Sequence, residues 1–97
     1  MHGLIASMTA VPGRRDDLIS IVLTGVADMP GCLSYVVARD ANDADSIRIS
    51  EVWQSKASHE SSLTPAAVKD AISRAKPLTA GIGKHIQTEP VGGHGLG

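Results

Sequence analysis

Three side chains near the middle of the chain, Glu51, Trp53 and His59, have the chemistry of a proton-transfer site. A carboxylate and an imidazole can each take a proton from an acidic hydroxyl, and imidazole does so near neutral pH. The indole, from the chain's single tryptophan, offers a flat wall on which an aromatic ring can stack. Their spacing brings them together if the stretch from Ser46 to Leu63 is a strand followed by a helical turn. Residues 46–54 lack Gly and Pro and carry Ile47, Ile49, Val52 and Trp53, the types that favour a strand. Side chains alternate along a strand, so Ile47, Ile49, Glu51 and Trp53 share one face. Ser55 can cap the turn that follows, which returns His59 to the same end of the sheet. His59 and Leu63 are then four apart and share a face.

Each of these residues also has a plainer use. Glu51 could pair with Arg39 or Lys84 at a strand edge. Trp53 could fill a core that has no Phe, and His59 could sit on the surface beside Glu60.

The elements that must hold these residues read in order. Residues 4–11 form a first strand, with Leu4, Ala6 and Met8 on one face and Ile5, Ser7, Thr9 and Val11 on the other. Pro12-Gly13 ends it. Residues 14–28 show helical spacing, with Leu18, Ile21, Val22, Gly25, Val26 and Met29 facing inward. Asp16 and Asp17 favour the positive end of that helix, and Pro30-Gly31 stops it. Residues 33–40 are a second strand carrying Leu33, Tyr35 and Val37 on one side.

The loop 41–45 is a polar turn. Its Asp40-x-Asn42 start, with Glu51 further on, fails as a calcium loop, because Ala44 and Asp45 stand where a ligand and a glycine are needed. Beyond the third strand and the turn at 56–62, Thr64 is placed to cap a helix over 65–76, with Pro65 as its first residue. Residues 78–83 read as a connection, 84–89 as a fourth strand, and 92–97 as a mobile glycine-rich tail. The order βαββαβ is the ferredoxin-like, α+β plan, in one domain over 1–97 whose core runs from about residue 3 to 91. Its second sheet face carries Ile5, Val11, Val36, Ala38 and Val52, so it should be covered as well, most economically by a second copy.

Composition narrows the function classes. Nine basic and ten acidic residues give a net charge of −1 without a basic stripe, which argues against nucleic acid as a partner. A single cysteine, Cys32, excludes an internal disulfide and suits a reducing cytoplasm. No segment reads as a membrane span. His2 and His94 lack partners at metal-ligand spacing, so no metal site is expected. His85, on the last strand, reads as an interface residue.

Glu51-Val-Trp53 followed by Ser-x-x-x-His, Pro12-Gly-Arg-Arg-Asp-Asp-Leu18, Pro30-Gly-Cys-Leu-Ser-Tyr35 and Glu89-Pro-Val-Gly-Gly93 occur here in an order and at distances similar to those of the antibiotic biosynthesis monooxygenase (ABM) family. The resemblance spans residues 4–93. It implies a dimeric α+β barrel in which a homodimer packs sheet against sheet. It also implies oxidation of a quinol or phenolic small molecule by O2 with no metal or flavin, the substrate anion itself donating the electron. On this chain it points to His59 or Glu51 as the base, Trp53 as the stacking wall, and Ser7, Met8, Tyr35 and Ser62 as lining. Many members carry a histidine where this chain has Ser62, so His59 must take over the role or the usual base is missing. The haem-degrading branch of the fold pairs a first-strand Asn with a Trp and a later His, and this chain has neither that Asn nor that His. A non-catalytic dimer that holds a small ligand in the same cavity is the alternative from another class.

Overall fold

The computed structural model describes residues 1–26 and 29–96. Its elements are β1 (His2–Ala10), α1 (Arg15–Gly25), β2 (Cys32–Arg39), β3 (Ser46–Trp53), α2 (Lys56–Ser62), α3 (Ala66–Ala75), a 3-10 turn (Lys76–Leu78) and β4 (Thr79–Thr88). Among the described residues the four strands form one antiparallel sheet in the order β2-β3-β1-β4. This is the ferredoxin-like α+β arrangement expected from the strand and helix order.

Local chemistry explains most of the boundaries. Gly13 and Gly31 both have φ of 79°, a left-handed conformation that glycine adopts without steric cost. Gly31 meets a second demand, because a Cβ there would come within 2.7 Å of Ser58 Cβ on α2. The turn into β2 and the helix carrying His59 are therefore in contact. The Ser55 side chain accepts from the Ser58 N–H at 3.1 Å, so α2 has the cap its sequence suggested. The 41–45 turn is held from within: Asp40 accepts from the N–H groups of Asn42 and Asp43 and from Arg48 Nε.

Three boundaries differ from the sequence reading. Thr64 does not cap α3; its hydroxyl donates back to the Ser61 carbonyl at 2.8 Å, Pro65 holds the cap position, and Ala66 opens the helix. β4 begins at Thr79 rather than at residue 84, because backbone pairing with β1 recruits the Gly-rich segment 79–83. α1 ends at Gly25, and the expected end at Asp28 lies outside the described residues.

The core lies between the sheet and α1, where Leu18, Ile47, Ile49 and Ala10 are buried with Met8, Val22, Tyr35, Val37 and Leu78 packed around them. Among the described residues, the other face of the sheet carries no helix. Ile5 pairs with Ile86, and both are about half exposed, as is Val36 two strands away. Val11 falls just beyond the end of β1.

Candidate functional site

The end of the sheet marked by the His2–Trp53 rung gathers the candidate residues. Strand alternation and register place Glu51 between Leu4 of β1 and Tyr35 of β2, on the face that carries the helices. Trp53 follows on the same face, between His2 and Cys32. A register shift at the start of β2 sets both Cys32 and Leu33 against Trp53. Leu33, the extra residue at this irregularity, is 41% exposed, whereas Tyr35 and Val37 pack against the core.

Trp53 is 1% exposed, and its Nε1–H donates to Glu51 Oε1 at 3.0 Å. The same oxygen lies 3.8 Å from His59 Nε2. The His59 ring meets the Trp53 ring edge-on, with centroids 5.4 Å apart, and a tilted His2 ring lies 5.8 Å away. Neither Glu51 nor His59 is sealed off: their side chains are 12% and 21% exposed. Two of the plainer uses can be compared with these contacts, while the burial of Trp53 agrees with its packing role. Arg39 pairs with Asp16 at 2.8 Å, not with Glu51, and His59 faces Glu51.

Tyr35 faces Glu51 across the β2–β3 rung and is largely buried. Burial pushes its hydroxyl above the usual phenol range, and the negative charge of Glu51 pushes it further. It therefore stays protonated and can donate a hydrogen bond but cannot serve as a base. Burial also raises the Cys32 thiol, with Glu51 acting in the same direction. Ser62 is buried, and its hydroxyl donates to the His59 carbonyl one turn back, which helps fix the backbone that carries His59.

These groups close one end of a cleft of about 890 Å³ between the sheet and the helices. Glu51, Trp53, His59, Ser62, Tyr35 and Met8 all border it. Ser7 does not. Alternation turns it to the opposite face from Met8, where it sits over Gly83 at an irregularity in the β1–β4 pairing. His85, read from the sequence as an interface residue, borders the cleft from β4. His2 was not singled out as a site residue, although the alternation that placed Leu4 and Met8 also puts it on their face. The wall supplied by α3 (Val68, Ala71 and Ile72) was likewise absent from the candidate set, since it depends on how that helix crosses the sheet. Among the described residues no group of three or more His, Cys, Asp or Glu side chains is placed to hold a metal ion.

The family model described as antibiotic biosynthesis monooxygenase matches residues 1–74. A crystal structure from Chloroflexus aurantiacus J-10-fl, named as a candidate antibiotic biosynthesis monooxygenase, is 54% identical to this chain. It covers 99% of this chain and 98% of its own, with a TM-score of 0.95. A Pseudomonas aeruginosa structure at 24% identity covers 94% of each chain with a TM-score of 0.81. One from Deinococcus radiodurans, also named as a candidate member of that family, is 21% identical over 96% of this chain and 95% of its own, with a TM-score of 0.80. The last two show likeness of fold alone. No curated protein matches the sequence.

Proposed function

Since the chain belongs to the antibiotic biosynthesis monooxygenase family, we propose that its cleft oxidises a quinol or phenolic aromatic molecule with O2, without a bound cofactor. The observation that carries this reading is the Glu51–Trp53–His59 cluster at the end of an apolar cleft.

His59, with Glu51 3.8 Å away, takes the proton of the substrate hydroxyl. The Glu51 carboxylate stabilises the imidazolium that results. The electron-rich anion then gives one electron to O2, and the two radicals join in a new C–O bond. Cleavage of the O–O bond releases water. One quinol and one O2 thus yield a hydroxylated quinone and one water, and no external reductant is needed. Trp53 supplies the wall beside the ring, Tyr35 a neutral donor, and the apolar cleft excludes water from the reactive pair.

The working unit is a homodimer in this reading, supported by the bare apolar sheet face at Ile5, Val36 and Ile86. A cytoplasmic setting fits the single thiol. No helix among the described residues is long and apolar enough to cross a membrane.

Oxygen uptake across a panel of quinols tests the chemistry. At least one should be turned over by the wild type, and His59→Ala should slow it by roughly 10²–10⁴-fold, while the quinol still quenches Trp53 fluorescence. Unchanged turnover in His59→Ala would move the base to Glu51. Quenching without oxygen uptake across the whole panel would leave a ligand-binding dimer.

A further inference from the structure

We propose that the cleft is built for an elongated ligand with a phenolic head at Glu51 and His59, a long apolar body, and an anionic group at Lys76. The inference rests on this cleft being the substrate site.

The register sets the length. Leu4 of β1 faces both Glu51 and Gln87, and Ala10, six residues further along β1, faces Thr79. Glu51, Gln87 and Thr79 all border the one cleft. Six residues of strand span about 20 Å at about 3.3 Å each. A single quinol ring would occupy a small part of that distance. The volume of about 890 Å³ also lies towards the upper end of the roughly 300–1,000 Å³ that small-molecule sites occupy.

The lining is polar at its two ends and mostly apolar between them, with His85 of β4, opposite Ala6, as the polar exception. Met8 and Ile49 from the sheet, Val22 from α1, and Ala71, Ile72 and Ala75 from α3 form the middle. One end holds Glu51, His59, Tyr35 and Gln87; the other holds Lys76 and Thr79. Lys76 follows the last residue of α3 and opens the 3-10 turn, at the far end of the sheet from Trp53. Among the described residues it makes no ion pair, whereas Arg74, one half-turn earlier, is paired with Asp70 at 3.0 Å. Glu51 and Lys76 are the charged Asp, Glu, Lys or Arg side chains on the described lining, and they mark opposite ends. An apolar body with a proton-donating head and an anionic tail matches that pattern end for end.

The test is a ladder of para-hydroxyphenyl compounds on saturated chains of increasing length, each as a terminal carboxylate and as its methyl ester. Binding is followed by Trp53 fluorescence, below the concentration at which the compounds form micelles. Affinity should rise about fourfold for each methylene buried until the chain reaches Lys76. Only there should the carboxylate bind more tightly than the ester. Lys76→Glu, at an exposed position that should leave folding intact, should weaken the longest acid by roughly three- to tenfold, with the esters and short acids unaffected. Affinity indifferent to chain length, no quenching at any length, or acid and ester responding alike to Lys76→Glu would each overturn the proposal. Tight, length-dependent binding without oxygen uptake would count against the oxidation and leave the elongated ligand standing.

Discussion

The indole of Trp53 is 1% exposed, yet its Nε1–H ends on the Glu51 carboxylate at 3.0 Å rather than on a backbone carbonyl. A buried donor needs a partner, and a hydrogen bond to a charged acceptor is among the stronger ones. The arrangement ties the packing residue to the acid–base residue. Removal of the N–H should show this. Trp53→Phe keeps an aromatic ring in place but frees the Glu51 oxygen that also faces His59. We expect a loss of about 2–4 kcal/mol from the lost charged hydrogen bond and the smaller ring. Urea unfolding followed by circular dichroism measures it, since the variant has no tryptophan to report. Turnover should fall through kcat more than KM, because the carboxylate is no longer held beside the imidazole. A stability equal to wild type would mean that Glu51 does not depend on the indole.

At the scale of elements, the short helix α2 decides where His59 points. Seven residues are too few to be stable alone. Three contacts hold it: the Ser55 cap, the close approach of Ser58 to Gly31, and the Trp53–His59 ring contact. Ser55→Ala should cost about 1 kcal/mol and, more tellingly, fray the first turn. Faster amide exchange at Ser58 and His59, whose N–H groups bond to Ser55, with a several-fold drop in turnover, is the expected outcome. Full protection of those amides in the variant would show that packing alone holds the helix. The β4 strand is the opposite case. Nearly all of it is exposed, and pairing with β1 keeps it in place, so it can border the cleft without being buried by α3.

At the scale of the whole molecule, the described chain is a slab of 37 × 32 × 20 Å. Its short dimension is that of one sheet and one helical layer, since packed layers lie about 10 Å apart. One sheet face is therefore left without a layer, and Ile5, Ile86 and Val36 are half exposed there. An exposed apolar patch of this kind would suit a two-fold dimer. Light scattering after size exclusion should give twice the 10.0 kDa chain mass. Ile5→Lys, which places a charge in the middle of the patch, should shift the protein to monomer at micromolar concentration. A wild-type monomer would remove the barrel from the reading, and a dimer indifferent to Ile5→Lys would place the contact elsewhere.

Much of this molecule was legible because its signals are local. Alternation in 46–54 was enough to put Ile47, Ile49, Glu51 and Trp53 on one face, and Ser55 declared the start of α2 within four residues of His59. The βαββαβ order followed from the same short-range rules, and with it the ferredoxin-like sheet. What escaped depends on partners distant in sequence. The segment 79–83 has two glycines and little strand propensity, and it is a strand because β1 lies beside it. Ser7 leaves the cleft because it lies on the face away from the helices, over Gly83. His2 meets His59 only after β1 and β3 pair, and Glu51 finds Trp53 and His59 rather than Arg39 because the β2–β3 register sets Arg39 opposite Ile47, four residues along β3, where it pairs with Asp16. Residue types and their short-range spacing settle which groups could do chemistry and on which elements they lie. Which of those groups meet depends on strand register and helix crossing, and these are set by burial and pairing across the whole chain.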